Sequence, residues 1–220
     1  MRALSGPAKA VTRLLATLTG ILAVTYFTST AATAGITHFD TQATDGGNVS
    51  RCHTSSMSSA ARTQADNAFN YAGSVLSAAS GWTKHTSCDV AISDGTPRTD
   101  TAFFEGWRDG SYGEAHCAYQ WPNDGSGNVG ECDQSQAWLN VEAIARDTGS
   151  KVAAGIREVA CHEFGHTLGF IGDYTLDRPP GGIDQVDCMH SDGALLQGSN
   201  GTAIANYSPH HIADFNAYYD

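Results

Sequence analysis

His162-Glu163-Phe164-Gly165-His166-Thr167-Leu168-Gly169 is the stretch on which the reading of this 220-residue chain depends. Residues four apart on a helix share a face, so His162 and His166 can offer two imidazole nitrogens to one zinc ion. Glu163 follows the first histidine directly. There it stands beside the metal position and can act as general base toward a water activated at that point. Upstream, Val152, Ile156, Val159, Ala160 and Phe164 fall on one helical face. Ser150 suits the N-cap, and Gly169 suits the left-handed conformation of a helix end, so the spacing predicts a helix over 150–169.

The N-terminus has the composition of a targeting segment. Arg2, Lys9 and Arg13 form a basic region, residues 14–27 are mostly apolar but short and threonine-rich for a membrane span, and Ala32-Thr33-Ala34 is an A-x-A cleavage signal. This pattern predicts a signal peptide over 1–34 and a secreted, extracellular domain over 35–220. No second apolar span, repeat or low-complexity linker divides the mature part, which is long enough for one domain with a sizeable core. Loss of the three basic residues takes the formal net charge from −11 to −14. Such acidity excludes the electrostatic footprint of a nucleic-acid binder and gives no attraction to an anionic membrane.

Cys52, Cys88, Cys117, Cys132, Cys161 and Cys188 all lie in the mature part. An even number behind a signal peptide reads as three disulfides formed in an oxidising compartment, with fifteen pairings open. No C-x-x-C pair is present, which argues against a structural zinc ribbon. Cys52–Cys88 and Cys117–Cys132 are the favoured pairs among these six.

Residues 55–80 carry Met57, Ala61, Ala65, Ala68, Phe69, Ala72, Val75, Leu76 and Ala79, largely at 3-to-4 spacing, which predicts a helix closed by Gly81. Strands are predicted over 88–92, 101–107, 113–121 and 136–141, with the turn-forming run 122–128 between the last two. Trp107, Tyr112, Tyr119 and Trp121 read as packing of this sheet in preference to the lining of a groove. Ser208-Pro209 opens a last helix with Ile212, Phe215, Tyr218 and Tyr219 as its apolar set. Helix, strands, motif helix, irregular segment and final helix together make an α+β pattern.

A catalytic zinc site takes three protein ligands and a water. No Glu follows Glu163, which excludes a thermolysin-type site. Gly201-Thr202-Ala203-Ile204 has Ile where a deuterolysin-type G-T-x-D motif has its Asp. The segment from His162 to Gly169 resembles the metzincin peptidases, whose pattern is HExxHxxGxxH or, in the snapalysin-like branch, HExxHxxGxxD. The resemblance implies a turn at Gly169 that returns a third ligand to the metal. The tenth position after His162 is Gly172, so the chain departs from the pattern there. Asp173, one residue later, is the nearest candidate, with Asp177, Asp184 and His190 as alternatives.

The resemblance also implies a methionine beneath the metal in a tight turn, and Cys188-Met189-His190-Ser191 fits it, Met189 being the only Met after the motif. Cys161 precedes His162 and Cys188 precedes Met189, so with such a turn under the helix a Cys161–Cys188 disulfide is sterically natural. Ser208-Pro209-His210-His211-Ile212 is similar to the Ser-Pro-x-Asp-Ile start of the C-terminal helix in matrixin-like bacterial peptidases, with His210 and His211 read as exposed replacements. The implied fold is a twisted sheet packed on an N-terminal helix and an active-site helix, with a C-terminal helix after the Met-turn. The implied function is a zinc endopeptidase acting on protein or peptide substrates, with one catalytic Zn2+ and Glu163 as base; secretion follows from the signal peptide, and a monomer is the simplest state for a secreted enzyme of this size. A Pro-Arg-Cys-Gly switch is absent, and Ser191 stands where some metzincins carry a Tyr. The acidic stretch 173–187 could hold a structural Ca2+, although no EF-hand pattern is present and solvated carboxylates are the simpler reading. The rival from another class is a secreted, non-catalytic binding protein on the same scaffold.

Overall fold

The alanine spacing ahead of the motif is helical over a shorter span than its composition suggests. The computed structural model describes residues 48–77, 79–89, 99–120, 132–170, 187–190, 195–196 and 201–219. Its first strand, β1, spans Asn48–His53, and helix α1 then runs Ser59–Val75. Ser58 caps α1 by accepting the Ala61 N–H at 3.2 Å. Ala61, Ala65, Ala68, Phe69 and Ala72 form its buried face. The helix ends well before residue 80 because Leu76 turns into extended backbone and is itself buried. Gly81, expected only as a helix stop, begins strand β2, Gly81–Lys84. Trp82 of that strand lies on Gly73, where a Cβ would stand 3.1 Å from the indole.

Strands β3, Thr101–Glu105, β4, Gly113–Gln120, and β5, Cys132–Leu139, complete one sheet in the order β2-β1-β3-β5-β4. The β1/β2, β1/β3 and β3/β5 pairs are parallel, and β4 runs antiparallel to β5 at the edge. A parallel pair needs a crossover, and α1 supplies it between β1 and β2. Strand β5 begins at Cys132, ahead of the expected residue 136, because Asp133, Gln134 and Ser135 are buried although polar. Gln134 donates its side-chain N–H groups to the Asp89 and Thr99 carbonyls at 2.5 and 3.1 Å. The carbonyl of Asp89 thus meets a side chain, and Cys88 and Asp89 belong to no strand, contrary to the expectation for 88–92. Residues 90–98 and the turn run 122–128 lie outside the described residues.

Asn140 closes β5 and opens a helix absent from the sequence reading, α2, Val141–Thr148. Its side-chain oxygen caps the Ala143 N–H at 3.2 Å, while its amide donates to the Arg108 and Ser111 carbonyls at 2.9 and 3.0 Å. Gly149, at φ 54°, reverses the chain into a short 3-10 turn, Gly149–Lys151, and α3 follows over Val152–Thr167. Ser150 therefore lies inside the connecting turn and is not the N-cap. Gly155 permits the return, since a Cβ there would stand 2.8 Å from Ile144 and from Thr148.

Helix α3 is largely buried from Gly155 onward, with Arg157 exposed and His162 and His166 half-buried. Phe164 sits among Phe69, Phe103 and Trp82, joining α1 to the inner face of the sheet. The last helix, α4, spans Pro209–Tyr219, with the Ile212 N–H on the Ser208 carbonyl at 3.1 Å. His211, read as exposed, is fully buried between Phe170 and Asp187. Disulfides join Cys52 to Cys88, Cys117 to Cys132 and Cys161 to Cys188. Among the described residues no helix is long and apolar enough to cross a membrane. All of them lie in one compact unit, Ala34–Asp220.

Candidate metal centre

The C-terminus of α3 aims the histidines. Gly169, at φ 92°, places its N–H on the His166 carbonyl, and the Phe170 N–H reaches back to the Gly165 carbonyl, each at 3.0 Å. This is the paired bonding of a Schellman helix end. It brings the Phe170 carbonyl within 2.8 Å of His166 Nδ1. On the other side, the Cys188 carbonyl lies 2.7 Å from His162 Nδ1. A carbonyl only accepts, so each Nδ1 carries the proton and each neutral ring presents a lone pair at Nε2. The two Nε2 atoms face each other at 3.0 Å. Two lone pairs at that distance repel, and a cation between the rings, whether a shared proton or a metal ion bound to both, relieves the repulsion. Nitrogens held about 2.0–2.1 Å from a tetrahedral Zn2+ stand roughly 3.3 Å apart, so the pair fits that ion with a small opening. The His162 ring keeps partial access to the cleft but is otherwise enclosed. Burial first, and the His166 charge second, hold its pKa down to about 3.

Beside the rings is a cleft of ≈ 410 Å³. Glu158, Val159, His162, Glu163 and His166 form its α3 side, Gly110 to Gly113 one rim, and Cys188, His190 and Leu195 the other. Glu163 is 6% exposed. Burial, and behind it the Glu114 charge, raise its pKa to about 8. Gly113, the first residue of the edge strand, makes this burial possible, because a Cβ there would fall 2.5 Å from Glu163 Oε1.

Met189 is fully buried under the motif. Gly165, between the two histidines, is what lets it approach, since a Cβ at Gly165 would stand 2.2 Å from the Met189 sulfur. The turn is anchored by Asp187, also fully buried. Its oxygens accept the Met189 N–H at 2.7 Å, the Ser208 N–H at 2.5 Å and His211 Nδ1 at 2.6 Å. Burial pushes the Asp187 pKa up, but the bonds from His211, Ser208 and Met189 outweigh it and hold the carboxyl below its ordinary value. Where the matrixin-like pattern has Asp at the start of the last helix, this chain has His211, and the carboxylate comes from the turn instead. Asp187, the last acid of the stretch considered for Ca2+, is committed to these protein donors.

No family model matches the chain, and no curated protein matches it. Among solved structures it is similar to archaemetzincin from Methanopyrus kandleri, with a TM-score of 0.46 and 14% identity, over 78% of this chain and 96% of that one. It is also similar to myroilysin, with a TM-score of 0.41 and 14% identity, over 81% of this chain and 82% of that one. Neither likeness is close enough to bear on what the chain does.

His162, Glu163, His166, Met189 and the Cys161–Cys188 bridge thus come together in one place. Asp173, Asp177 and Asp184 lie outside the described residues, among which no group of three or more His, Cys, Asp or Glu is arranged to hold a metal. His190, the remaining alternative ligand, has Nε2 on Glu158 Oε1 at 3.1 Å. Tyr112 lines the cleft and donates to Asp147 at 2.8 Å, and Trp107 is 57% exposed, so neither simply packs the sheet. The sequence reading missed Gly113 and Glu158, took Asp187 only as part of an acidic stretch, and read His211 as exposed. Only Glu158 carried a signal, as an acid four residues before His162 on an otherwise inward-facing helix.

Proposed function

We propose that the chain is a secreted zinc endopeptidase of the metzincin type. The observation that carries this reading is the pair of Nε2 lone pairs facing each other at 3.0 Å, each ring fixed by a carbonyl at Nδ1, in the same cleft as a buried Glu163. His162 and His166 would hold the ion, and Asp173 is the proposed third ligand. When bound, Zn2+ supplies Lewis acidity toward the scissile carbonyl and toward water. Glu163 takes a proton from the water that attacks the carbonyl carbon, then passes it to the leaving amine nitrogen as the C–N bond breaks. A cation arriving beside Glu163 favours its ionised form and offsets the upward push of burial, so that the carboxylate can act as base. The three disulfides fit a protein that works outside the cell.

The test is casein hydrolysis by the purified protein with and without a zinc chelator, beside Glu163→Gln. Chelator-sensitive cleavage, reduced about 10²–10⁴-fold in a variant that keeps its zinc, is the expected result. A folded, zinc-loaded protein that cleaves neither casein nor a mixed peptide library would move the reading to the non-catalytic binding protein. Asp173→Ala is expected to lose zinc, and full zinc occupancy in that variant would remove Asp173 as a ligand.

A further inference from the structure

Glu158, His162 and His166 stand four residues apart on one stripe of α3 and line one cleft, yet Glu158 has no role in the reaction above. It is 2% exposed, and a buried carboxylate persists only where both oxygens are satisfied. Both are, and by the opposite rim of the cleft. Oε1 accepts from His190 Nε2 at 3.1 Å, and Oε2 accepts the Leu196 N–H at 2.9 Å. His190 and Leu195, next to Leu196, line that rim. Independently, Leu196 has φ 60°, the only positive φ outside glycine among the described residues. A branched apolar residue adopts that conformation only where its surroundings impose it, and such strain gathers at functional sites.

We infer that Glu158 is a positioning residue that clamps the His190 and Leu195 rim at the width needed to seat a peptide substrate. The inference rests on the peptidase reading. Glu158 has no part in holding the ion or moving the proton. Its loss lets the rim drift, which weakens substrate binding and leaves the bond-breaking step intact. His190 acts in the same unit, with its ring held toward Glu158 and not toward the metal position.

The experiment compares Glu158→Ala, Glu158→Gln and His190→Ala with the wild-type protein, all zinc-loaded, on one fluorogenic peptide that the wild type cleaves. Expected is a rise in KM of roughly tenfold for Glu158→Ala and about threefold for Glu158→Gln, which keeps one acceptor oxygen. The kcat stays within about twofold and zinc remains stoichiometric in all three variants. Unchanged KM, a fall confined to kcat, or loss of zinc would each overturn the assignment, the last by returning Glu158 or His190 to the metal site. A separate readout keeps the clamp testable if the wild type proves inactive and the peptidase reading fails. The 15N-detected Nε2–H signal of the His190 ring should be present in the wild type and lost in Glu158→Ala, and an identical ring signal in both proteins would sink the clamp.

Discussion

Two glycines show how closely the site is set by single atoms. Adding one methyl at Gly113 puts carbon 2.5 Å from Glu163 Oε1 and 2.7 Å from Val159 Cγ1. Either the edge strand or the carboxyl must move. Gly113→Ala is expected to lower kcat by about tenfold or more while zinc stays bound, because a base displaced by an ångström loses its alignment with the water. Stopped-assay kinetics with a metal determination on the same sample checks both halves. At Gly165 the added carbon would lie 2.2 Å from the Met189 sulfur and 3.1 Å from the Tyr207 ring. This is overpacking in a fully buried place, and Gly165→Ala should destabilise by about 1–3 kcal/mol in a denaturant titration. A midpoint equal to wild type would mean that Met189 can leave its seat without cost.

Elements hold these atoms in register through their ends. The Schellman end of α3 and the turn at Cys188 each contribute a carbonyl that orients one imidazole. The Cys161–Cys188 bridge ties the second of these to the residue before His162. It closes a separation of 27 residues, and Cys117–Cys132 closes 15 on the β4/β5 pair. The loop-closure argument assigns roughly 3–4 kcal/mol to the first and about 3 kcal/mol to the second. Their effects on the metal should differ much more. Cys161→Ala/Cys188→Ala is expected to weaken zinc binding about 10–100-fold, since the Cys188 carbonyl that fixes the His162 tautomer loses its tether. Cys117→Ala/Cys132→Ala should leave zinc affinity unchanged. Competition with a calibrated zinc chelator measures the two, and equal losses would show that the bridge near the motif acts only on global stability.

Across the molecule, the buried charges near the cleft set how stability depends on pH. In the metal-free protein, His162 is held near 3, below its ordinary 6.5, so its contribution is present above pH 6.5 and is lost as pH falls toward 3. Glu163 is raised from 4.5 to about 8, so its contribution is present below pH 4.5 and is lost as pH rises toward 8. Each slope is about 1.4 kcal/mol per pH unit, and the signs oppose. Chelator-treated protein should therefore gain stability from pH 3 to 4.5, change only shallowly to 6.5, where the His162 and Glu163 slopes cancel and half-buried His53, held by burial near 4, adds a small rise, and lose stability to 8, in urea titrations at stepped pH. Glu163→Gln should abolish the fall above 6.5, and a wild type that stays level there would refute the buried carboxyl. The motif itself was legible because its chemistry is local: a four-residue spacing sets two rings on one helical face, and Gly169 marks the helix end. The Met189 turn and the neighbouring cysteines were legible by adjacency to that motif. Strand β1 and the first half of β5 were not, because their buried residues are mostly small or polar and show no apolar alternation, and β2 was not, because it is four residues long with none fully buried. The Asp187–His211 and Glu158–His190 pairs join residues 24 and 32 apart. No periodicity marks such partners, for a buried carboxylate finds its donors only when separate elements pack. Chain-local geometry thus specified which groups the proposed chemistry would use, and the packing of distant segments specified how those groups are held.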